Sequence, residues 1–196
     1  MRWMAVLGVS AALGLLAAAS DVRAGGLDQT GFDRAVSSLL NAGWLWAGLA
    51  VFAGWVLAGR YRWPVSTAGG FVALETAVAG YYAYGVLAGD RAGSGLAGIS
   101  AAARLWAVSA VVLGVLLGAV GHHARRSDLL GSVARAVVPV GALAEVLVVR
   151  RLDADAFAVD PWLAWSGATV VVLAVVCLAA ISIGALRTGR TGHVGP

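Results

Sequence analysis

Lysine is absent from this chain, and all fourteen basic residues are arginine. Alanine, glycine and valine dominate beside them, so the bias reads as GC-rich codon usage rather than as function. Charge of either sign is scarce: 12% of residues, against about 25% in an ordinary soluble domain. That scarcity excludes a soluble globular protein. Cysteine occurs once, which excludes a disulfide framework within the chain and a cysteine-rich metal site. Cys177 lies inside an apolar run and is expected to be a small buried hydrophobe. Walker A, dinucleotide-type GxGxxG and HExxH motifs are all missing, and no Ser/His/Asp, paired-aspartate or Cys/His set is available. The chain reads as a non-enzyme with no catalytic residue, no metal and no cofactor, and an ATP-driven process would need another subunit.

Sixty per cent of the 196 residues are hydrophobic, and mean hydropathy is +0.85. The apolar residues fall in runs of about twenty, the length that crosses a hydrocarbon layer of roughly 30 Å as a helix. The expected fold is all-α: a polytopic transmembrane helix bundle forming one integral membrane domain over residues 1–196. Six spans are predicted, at 4–20, 39–59, 68–89, 96–120, 129–149 and 162–186, with a flexible tail at 188–196. Residues 30–41 read as a short interfacial helix, because Thr30 and Asp33 have capping-box spacing and Phe32, Val36, Leu39 and Leu40 make one apolar stripe. Val22, Arg23 and Ala24 resemble a signal-peptidase site. The preceding seventeen apolar residues exceed the usual 7–15 of a signal, and Gly8, Gly14 and Ala18 suit helix packing, so the first span is expected to be retained. If it is cleaved, five spans remain.

A pI near 10 would point to nucleic acid in a soluble protein. Here the arginines lie singly or in pairs at the ends of apolar runs, so the partner is the lipid bilayer and not nucleic acid. With the amino terminus inside, the inner segments hold Arg2, Arg60, Arg62, Arg125, Arg126, Arg187 and Arg190. The outer ones hold Arg23, Arg34, Arg91, Arg150 and Arg151 and all aspartates except Asp128. By the positive-inside rule both termini are cytoplasmic in a bacterial plasma membrane. Trp44, Trp46, Trp162 and Trp165 then fall at the outer interface, and Trp3 and Trp63 at the inner one, as aromatic belts do.

Small residues share faces. Ala103, Ala107, Ala110, Gly114, Gly118 and Gly121 recur at steps of three and four, as do Gly43, Ala47, Ala50, Gly54 and Ala58. Such faces let helix backbones approach closely, and packing within the chain is expected.

Four charges fall inside the spans: Glu75, Arg104, Arg135 and Glu145, the two glutamates being the only ones in the chain. A charge near the bilayer centre costs roughly 2.5–3.5 kcal/mol on insertion scales, so each needs a partner. Depth at about 1.5 Å per residue pairs Arg104 with Glu145 near the outer side and Glu75 with Arg135 near the inner one. Pro139 removes an amide hydrogen, and with Gly141 it predicts a kinked or broken fifth span. Tyr82 is seven residues from Glu75, hence on its face, and could cap a polar cavity. Trp106 reads as packing, and the adjacent His122 and His123 as a polar flank rather than metal ligands.

With the spans in place, the chain resembles a family of small six-helix membrane proteins of unknown function from high-GC Gram-positive bacteria. The likeness rests on Asn41-Ala42-Gly43-Trp44 opening the second span and Gly80-Tyr81-Tyr82-Ala83 late in the third. Trp106 with Gly114 and Gly118 in the fourth and Ala144-Glu145 in the fifth complete it. Val146 departs from the glycine that the family carries after Ala-Glu. The resemblance implies six helices, brings no activity and singles out Glu145. The expected function is binding or transport of a small solute at a buried site of Glu145 and Arg104 shaped by Tyr82, with Glu75 and Arg135 as the second candidate pair. The alternative is a non-catalytic subunit that docks another membrane protein or a transporter through its glycine faces.

Overall fold

A computed structural model describes residues 1–88, 95–152 and 160–191. Helices α1 (Arg2–Ala24), α2 (Gly31–Leu40), α3 (Gly43–Ala58), α4 (Trp63–Leu87), α5 (Gly95–His123), α6 (Leu129–Leu152) and α7 (Pro161–Thr191) follow in order, with no strand among the described residues. The fold is an all-α helical bundle. Among the described residues, five stretches are long and apolar enough to cross a membrane: α1, the α2–α3 segment, and the apolar parts of α5, α6 and α7.

The predicted third span is the exception. Helix α4 has 25 residues, ample for a crossing, but it falls outside that apolar set. It packs against α1, α3 and α5, so protein surrounds much of it and its Ser66, Thr67, Glu75 and tyrosines need not be lipid-compatible. The outer helices show the opposite: Leu105, Val112, Leu116, Val172, Leu173 and Val176 are exposed, a surface that a water-soluble monomer rarely presents.

Two clusters build the interior. Val6, Leu49, Ala53, Leu57, Ala73 and Ala77 centre the larger one, made by α1, α3, α4 and α5. Ala142, Val146, Val170 and Ala174 join α6 to α7 in the smaller one, which Leu39 and Trp44 extend to α2 and α3. Both predicted small-residue faces are spent within the chain. A Cβ on Gly54 would collide with the Gly118 carbonyl, one on Gly70 with that of Gly114, and one on Gly121 with that of Val51. In the same way Gly14 of α1 lies on the Ala77 carbonyl of α4, whereas Gly8 touches nothing.

The short helix read over residues 30–41 forms as α2, at Gly31–Leu40. Thr30 caps α2, accepting from the Asp33 amide while the Asp33 carboxylate accepts from the Thr30 amide. Phe32 meets Trp162 edge-on at 5.5 Å, and Arg34 pairs with Asp160 at 2.8 Å, tying α2 to the start of α7. Two expectations fail. The break expected at Pro139 and Gly141 is not formed, for α6 is one continuous helix through both, as membrane helices tolerate proline where neighbours satisfy the freed backbone groups. Cys177 is exposed on α7 rather than buried. Helix α7 also continues to Thr191, four residues into the expected tail, while 192–196 lie outside the described residues. So do Asp90, Arg91, Asp153 and Asp155 and the side chains of Arg150, Arg151, Arg187 and Arg190.

Candidate ligand cavity

The chain leaves α2 at Asn41 and enters α3 one residue later, at Ala42, whose methyl group cannot cap a helix. Helix α3 has only 16 residues, about 24 Å at 1.5 Å each, which is short for a crossing. The first amides of a helix have no partner within it, and here α6 supplies one. The Glu145 carboxylate accepts from the Gly43 amide through Oε1 and from the Trp44 amide through Oε2, each at 2.9 Å. A negative group is favoured at that positive helix end. The Arg104–Glu145 pair is therefore not formed: backbone amides meet the carboxylate, and Arg104 is exposed on α5.

Arg135 plays the mirror role at the other end of α6. Its guanidinium donates to the carbonyls of Ala124 and Arg126, just beyond α5, and to Ser132 Oγ. Cations suit that negative helix end. The Glu75–Arg135 pair is absent too, and half-buried Glu75 has no hydrogen bond or ion pair among the described residues.

A carboxylate that the sequence reading placed in a loop organises the opposite end. Helix α1 runs past Ser20 to Ala24, so Asp21 sits in its last turn, where the helix dipole disfavours an acid. Neutral donors hold it there: Ser37 and Asn41 donate to Oδ1, the latter at 2.7 Å, and the Tyr81 hydroxyl donates to Oδ2. One side chain thus ties α1 to α2, the α2–α3 junction and α4. An acid at a helix C-terminus, followed by Ser and Asn at interfacial positions, is the signal that could have found it.

Between α3, α4 and α5 lies a cavity of about 270 Å³. Four aromatic side chains line it, Trp46, Tyr81, Tyr82 and Trp106, with Asn41, Gly43 and Ser109 as polar edges and Leu74, Leu113 and Leu117 deeper. Its reach runs from the core, where Leu74 is buried, to the surface, where Trp106 is 58% exposed. Trp106 is thus a cavity wall and not plain packing. Two rings are pre-set: Trp46 Nε1 donates to the Leu40 carbonyl at 2.9 Å, and the Tyr81 hydroxyl is held by Asp21. Trp46 and Tyr81 meet edge-on at 6.4 Å, and Tyr81 and Tyr82 at 5.3 Å.

Two carboxylates stand at the margin of this space. Asp21 bonds to Asn41 and Tyr81, and Glu145 to Gly43, all cavity-lining residues. Among the described residues, neither carboxylate is in an ion pair and no arginine or histidine lines the cavity. Of the expected site residues, Tyr82 is on the cavity wall and Glu145 stands behind it. Glu75, Arg104 and Arg135 are not on the wall, and Pro139 and Gly141 make no break. His122 Nδ1 lies 3.2 Å from Ser66 Oγ, at the far end of the bundle. No family model, curated protein or solved structure matches the chain.

Proposed function

We propose that this chain is a plasma-membrane protein that binds a small amphipathic organic cation in the aromatic cavity. The observation that carries the reading is the pairing of four aromatic walls with two carboxylates at the margin, each held by neutral donors alone. A cation over an aromatic face gains about 0.5–1 kcal/mol when exposed and about 2 or more when desolvated. A largely apolar pocket with a few placed polar groups is the common form of a small-molecule site. Rings already fixed by Leu40 and Asp21 lose little freedom on binding.

Glu145 keeps the importance expected of it, with a changed role: it holds the start of α3, which carries Gly43, Trp46 and Ala47 to the cavity. The arginine-rich end faces the cytoplasm by the positive-inside rule, so the cavity opens in the outer half of the bundle. Docking of a partner through the glycine faces is less favoured, because those faces are covered within the chain. Mass spectrometry of protein purified in mild detergent tests the proposal. Wild type is expected to retain a cationic small molecule that Trp106→Ala loses. Retention of an anion, or of the same molecule by Trp46→Ala, Tyr82→Ala and Trp106→Ala alike, would overturn it.

A further inference from the structure

The arginine-rich end carries a second feature, independent of the cavity. Gly59 closes α3, and two guanidinium groups converge on it, for a Cβ there would overlap Nη1 of Arg2 and Nη1 of Arg125. The two cations are thus within van der Waals reach of each other, and both are exposed. Like charges that close repel strongly. Part of the charge is met locally. Arg2 Nη1 donates to the Val56 carbonyl at 3.0 Å, near the negative end of α3. The Arg125 guanidinium sits 5.0 Å from the centre of the Trp55 ring, within cation–π range. No carboxylate completes the neutralisation: neither arginine is in an ion pair among the described residues, and Asp128 is taken by Arg126.

An apolar shelf adjoins the pair. Phe52, Trp55 and Gly59 are spaced by three and four, so they form one stripe on α3. The rings of Phe52 and Trp55 stack at 6.4 Å and are 40% and 43% exposed. The stripe runs from the charged end of the helix toward the apolar middle of the bundle. A doubly cationic head beside an apolar bed matches a molecule that is anionic at one end and apolar along its length. Basic pockets between membrane helices hold lipid headgroups in this way.

We propose that Arg2 and Arg125 bind the phosphate of an anionic phospholipid whose acyl chain lies along Trp55 and Phe52. Planar guanidinium groups suit phosphate oxygens, and Gly59 leaves the space in which the two meet. Native mass spectrometry of the detergent-purified full chain, titrated with phosphatidylglycerol, phosphatidylcholine or inorganic phosphate, is the test. Wild type is expected to hold one phosphatidylglycerol about tenfold more tightly than phosphatidylcholine, with inorganic phosphate failing to displace it. Arg2→Gln with Arg125→Gln removes the preference, while Arg60→Gln with Arg62→Gln, an equal loss of charge, leaves it. Equal retention of the two lipids, full displacement by phosphate, or equal effects of the two double variants would overturn the proposal. The wild-type comparison is decisive even if a variant does not accumulate.

Discussion

Glu145 takes both amides that Ala42 cannot cap, from a helix about a hundred residues further along the chain. Replacing it by glutamine keeps one acceptor oxygen and orphans one amide, at a cost of about 1–3 kcal/mol. Thermal or denaturant unfolding in detergent should show that loss for Glu145→Gln and a larger one for Glu145→Ala. Arg104→Gln should add to it independently, since residues without a shared partner behave additively; coupling between the two would restore the ion pair that depth alone suggested. Glu75 calls for the opposite expectation. It meets no partner among the described residues, so Glu75→Gln sheds a carboxylate whose placement costs roughly 2.5–3.5 kcal/mol near a bilayer centre. The variant should unfold at a higher temperature than wild type, and a lower midpoint would show a partner. Depth along a span does not tell which face each helix turns. It was also blind to backbone partners such as those of Glu145 and Arg135.

Helix α6 serves its neighbours at both ends, through Glu145 on the start of α3 and Arg135 on the carbonyls after α5. The turn between α5 and α6 is held by Asp128, which accepts from the Gly131 amide at 2.9 Å and pairs with Arg126. The Arg126 guanidinium, with the Gly131 amide, holds its carboxyl below the usual carboxylate range. A lowered folded-state pKa stabilises the fold above the unfolded value of about 3.9. The benefit is lost as pH falls through the folded value. The unfolding midpoints of wild type and Asp128→Asn should therefore differ most above about pH 4 and converge in stronger acid. Convergence in base instead would contradict the sign. At this scale the sequence was most legible where chemistry is local. The capping box of Thr30 and Asp33 and the apolar stripe placed α2 within a residue, because such caps depend on neighbours a turn away. Pro139 makes no break because its effect depends on what surrounds the helix, and membrane helices often pass through proline.

The molecule as a whole is a four-helix core of α1, α3, α4 and α5 with α6 and α7 attached through α2 and α3. Its glycine seams are tight enough to be tested. Gly118→Leu would drive a side chain into the Thr67 carbonyl of α4 and should abolish the monodisperse peak in size-exclusion chromatography, while Gly141→Leu, in open space, should leave it. Helical class and the small-residue faces could be read from composition and period, whereas α4, the predicted third span, falls outside the stretches apolar enough to cross. The cavity could not, since Trp46, Tyr81, Tyr82 and Trp106 are interfacial aromatics until three helices bring them together, and Asp21 looks like a loop residue until α1 is seen to include it. The most direct measurement is a calorimetric titration of the purified protein with tetraethylammonium, and with an aromatic sulfonate of similar size as the anionic control. Saturable binding of the cation alone, lost in the Trp46→Ala and Tyr82→Ala variants, is the predicted result. No saturable binding, or binding of the anion equally well, would contradict an aromatic site built for positive charge.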